Sequence, residues 1–199
     1  VVGWGETIQN YTWGRVQAQE RVIGKPPFET MWDDSLGAGL QMALPDVAGK
    51  LAGVPVYRLL GTKVRDWCPI SFWDHDMSPE KYEIEARTAA DLGYNCIKIK
   101  TRPWFDVRET IRRISEATPD YFRIDADWNA FLNNASNAVP VLKELEVTLP
   151  EIKIFEDPIP RRDASGNRFL RTQIQSAIAH HYGTIGVREG LEMGGVCDG

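Results

Sequence analysis

Asn95-Cys96-Ile97-Lys98-Ile99-Lys100, Phe122-Arg123-Ile124-Asp125-Ala126-Asp127 and Ile152-Lys153-Ile154-Phe155-Glu156-Asp157-Pro158 are three short apolar runs that each finish on charged side chains, all within Gly93 to Pro160. The segments between them carry apolar residues at helical spacing, Val107, Ile111 and Ile114 in one and Val139, Leu142 and Leu145 in the other. The stretch therefore reads strand, helix, strand, helix, strand. Consecutive parallel strands joined in this way bring their C-terminal ends side by side. Two lysines and at least two carboxylates then converge on one rim, which marks a candidate site.

Working outward, the same period continues in both directions. Pro69-Ile70-Ser71-Phe72-Trp73 is a candidate strand ending on Asp74-His75-Asp76. Ser78-Pro79-Glu80 then starts a helix, with proline at its first position, that runs to Leu92 and stops at Gly93. Beyond Pro160 come a polar, arginine-rich loop, Phe169 to Ile178, then Ala179-His180-His181-Tyr182-Gly183, a short helix over Val187 to Met193, and Val196-Cys197-Asp198-Gly199 as the beginning of another strand. Strand starts near residues 69, 95, 122, 152, 177 and 196 suit a (β/α) barrel. A full eight-fold barrel takes about 250 residues, so residues 67–199 are expected to hold about five βα units of an incomplete one. Residues 1–66 form a separate domain, with Thr62 to Trp67 as the charged connector. There Val1-Val2-Gly3-Trp4-Gly5-Glu6-Thr7 looks like the end of a strand entered without its beginning, Tyr11 to Asp34 shows no period, and Ser35 is an N-cap for a helix to Lys50 that Pro45 is expected to kink or break. The chain reads as cut at both ends.

Composition narrows the function. Of 199 residues, 43% are hydrophobic and 26% charged, the balance of an ordinary globular domain. A net charge of −5 without any basic run argues against a nucleic-acid surface. No apolar run approaches the roughly 20 residues of a membrane span, which excludes a membrane partner at this level. Cys68, Cys96 and Cys197 have no metal-type spacing and read as thiols in a reducing, cytoplasmic compartment.

Asp125 and Glu156 stand one βα unit apart, each just past an apolar run. Carboxylates at adjacent strand ends suit a hard divalent ion such as Mg²⁺; each could instead cap the next helix or pair with a lysine. Asp127 and Asp157 compete with them. Asp127 shares Asp125's face and serves as an alternative ligand or a supporting acid. Lys98 and Lys100 alternate with Ile97 and Ile99, so both lysines face one side. Mutual repulsion is expected to lower their pKa values, making one a usable general base. The bland alternative is an edge strand with two solvated lysines.

With these residues in place, the chain resembles the enolase superfamily, specifically its mandelate racemase and muconate lactonizing group. Lys98-Ile99-Lys100 resembles the second-strand base motif, Arg123-Ile124-Asp125-Ala126-Asp127 the third-strand motif whose first Asp binds Mg²⁺, and Phe155-Glu156-Asp157-Pro158 the fourth-strand motif with the second ligand. Gly3-Trp4-Gly5-Glu6, Ala43-Leu44-Pro45-Asp46-Val47-Ala48-Gly49-Lys50, Gly53-Val54-Pro55-Val56-Tyr57 and Leu59-Leu60-Gly61 resemble its capping-domain signature. The resemblance implies an α/β fold, an incomplete (β/α) TIM-type barrel preceded by the C-terminal part of an α+β capping domain. It implies Lys100 as the base, Lys98 tuning it and meeting a substrate carboxylate, and Mg²⁺ on Asp125 and Glu156, with Asp127 and Asp157 around them. A carboxylate is expected at the fifth strand end, where this chain offers only His180 and His181. Either histidine as third ligand would make a mixed site open to another divalent ion.

The implied activity is abstraction of a proton alpha to a carboxylate by a lyase (dehydratase) or isomerase, acting on an acid sugar as dehydratase or epimerase. A muconate-type cycloisomerase is a neighbouring reaction. The rival is a truncated, non-catalytic barrel with a scaffold or assembly role. A small carboxylate substrate and a homo-oligomer are the partners expected.

Overall fold

Gly3 and Gly5 lie so close to a helix that a side chain at either would meet backbone, 2.2 Å from the Ala43 carbonyl and 2.0 Å from that of Gly39. Only glycine permits that approach. The computed structural model describes residues 1–7, 18–181 and 191–199, which fall into two units, Val1–Cys68 and Pro69–Gly199. In the first unit, residues 1–7 form no strand. They are pinned to the helix by the Trp4 N–H donating to Asp46 (2.7 Å) and by Lys50, which donates to the Val2 carbonyl (2.9 Å) and to Asp46.

The reading of Tyr11 to Asp34 falls partly outside the described residues; the rest of it holds a short helix, α1 (Pro27–Thr30), entered through a proline. The helix α2 spans Ala38–Ala52 and is capped by Gly37, not Ser35. The Ser35 amide instead donates to the Asp33 carboxylate (3.0 Å), closing a 3₁₀ turn over Asp34–Leu36. Pro45 does not break α2. A proline removes one N–H, and here the ring is buried beside Leu44 and Ala48 while the remaining turns continue. Gly53, at φ +67°, ends the helix, and α3 (Tyr57–Leu60) follows.

The second unit is built on one parallel sheet in chain order, β1 (Phe72–Trp73), β2 (Cys96–Lys100), β3 (Arg123–Asp127), β4 (Ile152–Glu156) and β5 (Ala177–Ala179). The crossovers are α4 (Pro79–Asp91), α5 (Val107–Ala117), α6 (Ala135–Thr148) and α7 (Ala164–Gln173). Most of the arginine-rich segment after Pro160 is therefore helical, started by the Asp163 carboxylate accepting from the Gly166 amide. Cys197 to Gly199 lie beside β5, with the Asp198 N–H on the Ile178 carbonyl (2.7 Å) and the His180 N–H on the Gly199 carbonyl (2.9 Å). The further strand that the sequence suggests from Val196 is not formed as such; these residues are joined to β5 and His180 by those hydrogen bonds instead. Of the short helix expected over Val187 to Met193, residues up to 190 lie outside the described residues.

Side chains alternate across a strand, and this sheet uses both faces. Ile97, Ile99, Ile124, Ala126, Phe155 and Ile178 join Tyr82 and Ala86 of α4, Ile111 and Ile114 of α5, and Leu142 and Leu145 of α6 in one buried cluster. The opposite face carries the charges. The register sets Lys98 beside Asp125, Lys100 beside Asp127, and Asp127 beside Glu156. A bulge makes the last pairing possible. Ile124 pairs with Ile152, but Asp125 pairs with Ile154, so Lys153 is an extra residue, and it stands exposed. A one-residue shift in register moves a strand's whole pattern to the other face. Here it turns Glu156 onto the face of Asp127.

Tyr82 ties β2 to the loop after β1. Its hydroxyl donates to the His75 carbonyl (2.6 Å) and accepts from the Lys100 N–H (2.9 Å). Burial, the largest influence, pushes its pKa up to about 12. Tyr82→Phe leaves two backbone groups unpaired and is expected to cost about 1–3 kcal/mol, measurable as a lower urea midpoint with an unchanged slope.

Candidate active site

The charged face forms an ion network with few loose ends. Lys98 donates to Glu156 and lies 3.4 Å from Asp127. Lys100 donates to Asp127 (2.5 Å) and to the Asn129 side-chain carbonyl (3.2 Å). Asp127, fully buried, also accepts the Asn129 backbone N–H (2.9 Å). His181 sets its Nδ1 3.6 Å from Glu156 and donates its backbone N–H to Asp157 (3.2 Å). Asp157, at φ +44°, is gripped by Arg161 through two contacts of 2.8 and 2.7 Å.

Asp125 and Asp157 each bury a carboxylate oxygen without a hydrogen-bond partner, but the Asp157 Oδ2 has the Arg161 guanidinium 2.7 Å away. Asp125 is nine-tenths buried, and the oxygen in question is its Oδ1. Burial first, and then the charge of Glu156, raise its pKa to about 7 despite the nearby lysines. For Glu156, burial works in the raising direction. Hydrogen bonds from His181 and Lys98 outweigh it and draw the carboxyl down to about 2. Burial likewise opposes the charge on Lys98, yet Glu156, Asp127 and Asp125 together leave its pKa raised. This corrects the expectation from mutual repulsion. Each lysine is held against carboxylates, and for Lys98 the carboxylates prevail.

Asp125 and Glu156 therefore share the charged face. His181 approaches Glu156, whereas His180 turns its Nε2 to Asn167 of α7 (3.4 Å), where burial lowers its pKa. Among the described residues, the three acidic side chains whose ligand atoms all lie within 4.8 Å of one another are Asp127, Glu156 and Asp157. Asp127 and Asp157 are ion-paired with Lys100 and Arg161, whereas the buried Asp125 Oδ1 has neither a hydrogen bond nor an ion pair among the described residues. A divalent cation fits that oxygen, because it supplies the charge that the buried carboxylate lacks.

Known proteins share this architecture. No protein-family model matches the chain. An N-succinyl Arg/Lys racemase from Bacillus cereus superposes with a TM-score of 0.77 at 21% identity, over 96% of this chain and 57% of its own, a likeness of fold. An enolase from Bradyrhizobium, solved with magnesium and mandelic acid, superposes with a TM-score of 0.65 at 26% identity, over 80% of this chain and 45% of its own. The D-galactonate dehydratase of Variovorax paradoxus is 35% identical over 229 residues, 98% of this chain and 59% of that protein. The chain is similar to members of the mandelate racemase/muconate lactonizing group of the enolase superfamily. It spans about half the length of the curated relatives that match most of it. In this chain, the three motif-bearing runs are adjacent strands of one sheet with their charged residues on one face. No helix among the described residues is long and apolar enough to cross a membrane.

Sequence reading overlooked Tyr82, Arg102 and Asn129, and took Arg161, with Arg162, for a solvated loop residue that could otherwise bind an acid, whereas Arg161 is paired with Asp157. For Arg102 and Asn129 a signal existed. Lys98, Lys100 and Arg102, like Asp125, Asp127 and Asn129, are spaced by two, so the alternation simply continues one step past each strand end. Arg161 carried no such signal. It follows two prolines, Pro158 and Pro160, and its pairing with Asp157 depends on the backbone turn there.

Proposed function

We propose that this chain supplies the proton-abstracting half of an acid-sugar dehydratase or epimerase, with Asp125 and Glu156 holding Mg²⁺ and Lys100 as the base. The observation that carries the metal assignment is the buried, unpartnered oxygen of Asp125. Bound there, the cation supplies positive charge opposite a substrate carboxylate, where negative charge grows as a neighbouring proton leaves. Lys100, from its amine form, takes the α-proton on Nζ. Lys98 stands beside the metal ligands and meets the substrate carboxylate with its ammonium. Asp127 and Asn129 orient Lys100, and Asp157 anchors the strand end through Arg161. His181 completes the set on the Glu156 side. Residues 1–66 correspond to part of the capping domain.

Acid sugars are favoured because curated relatives are named D-galactonate and D-xylonate dehydratases. A second reading, with the ion on Asp127, Glu156 and Asp157, is favoured by the closeness of those three carboxylates. It would displace two lysine or arginine partners, which the first reading does not require of Asp125.

Removal of the α-proton needs only the base and the metal, so isotope exchange isolates the chemistry proposed. In D₂O with Mg²⁺, the protein is expected to exchange the α-proton of at least one sugar acid in a panel of aldonates, followed by NMR. Lys100→Ala should slow that exchange about 10²- to 10⁴-fold. Exchange that persists at the original rate in Lys100→Ala would remove the lysine from its role.

A further inference from the structure

Arg102 is nine-tenths buried, beyond the end of β2, and is held on three sides. Its Nε donates to both oxygens of Asp76 (3.0 and 2.9 Å), in the loop after β1, and its Nη2 donates to the Asn129 Oδ1 (2.7 Å), in the loop after β3. Its guanidinium carbon lies 5.3 Å from the ring centre of Phe131 and 6.0 Å from that of Trp104. These two rings meet edge to face at 5.5 Å and are both largely exposed. Nη1 is buried without a hydrogen-bond partner, and the two rings offer its charge a π surface in place of one. Three successive loops are thus clasped by one side chain.

The same Asn129 Oδ1 accepts from Lys100 Nζ. An amide oxygen has two acceptor sites, and here two cations take them. Asn129 is itself in the left-handed region, at φ +43°, where the neighbouring backbone must hold it.

We infer that Arg102 is a positioning residue for Lys100. Through Asn129 it fixes the direction in which the lysine amine points, and Asp76 fixes Arg102 in turn. This rests on the reading of Lys100 as the base, but the geometric part of the claim can be examined without turnover. A lysine in the place of Arg102 could not fork between Asp76 and Asn129, so charge alone does not reproduce the arrangement.

The test is competitive reductive methylation of the whole protein with formaldehyde and cyanoborohydride, with the rate at Lys100 read by mass spectrometry against exposed Lys143. Asn129→Ala and Arg102→Gln are each expected to raise the relative Lys100 rate about fivefold, and the double variant should show no further rise. Arg102→Lys should behave like Arg102→Gln. Where Arg102→Gln does not fold, Asp76→Asn is expected to give a smaller rise in the same direction. An unchanged Lys100 rate in the folded Arg102 or Asp76 variants, or a double variant in which the two effects multiply, would overturn the inference. In the α-proton exchange assay, Arg102→Gln should lower kcat with KM little changed. If the wild-type protein exchanges nothing, the proposed reaction fails while the labelling result stands by itself.

Discussion

Lys98→Met is expected to destabilise the second unit by about 3–5 kcal/mol, because it leaves buried carboxylates without their counter-charge. Lys98 is the side chain shared by Glu156 and Asp127, at hydrogen-bonding distance from the first and 3.4 Å from the second. Without it Glu156 retains His181 among the described residues, and Asp125 loses the stronger of its two opposing charges. Removing both members of a buried pair is much less costly than removing one. Lys98→Met combined with Glu156→Gln should therefore recover more than half of the loss. Urea unfolding of the single and double variants, followed by near-ultraviolet circular dichroism, provides the comparison. A single variant within about 1 kcal/mol of wild type would mean that the network is solvated in solution, contrary to its burial here.

Asp125→Asn works in the opposite direction. The wild-type carboxylate is buried, has an unpartnered oxygen, and is repelled by Glu156. An amide of the same shape removes the charge, so the metal-free protein should gain about 1–3 kcal/mol. For a chain of this size that corresponds to a melting temperature higher by roughly 2–4 °C per kcal/mol. Stability gained on deleting a charged residue is a signature of a site arranged for a ligand and not for the fold. With Mg²⁺ present the order should reverse, since wild type would gain binding free energy that the variant forgoes. An Asp125→Asn variant less stable than wild type in the absence of metal would show that the carboxylate has a structural partner.

The fold was legible where the apolar pattern is clean. Ile97 and Ile99 against Lys98 and Lys100 fixed both the strand and its faces, and Ser78-Pro79 with Gly93 bracketed α4 closely. The pattern was less informative wherever one residue shifts the phase. Ile152, Ile154 and Glu156 read as one face of a simple strand, yet the bulge at Lys153 sends Ile152 and Phe155 together into the core. No periodicity can announce an inserted residue, because the cause lies in the neighbouring strand. The same holds for Asp163, whose capping role made a helix of a polar, arginine-rich segment. At the site, the identities of the charged residues were legible, but their pairing was not. That Asp127 would be satisfied by Lys100 and Asn129, while Asp125 was left unpaired, depends on contacts across three strands.

Calorimetric titration with Mg²⁺ of the wild-type protein, Asp125→Asn and Asp157→Asn tests the proposed centre most directly. The account predicts saturable binding to wild type and to Asp157→Asn, and none to Asp125→Asn. Binding that survives in Asp125→Asn but disappears in Asp157→Asn would contradict it and move the ion to Asp127, Glu156 and Asp157.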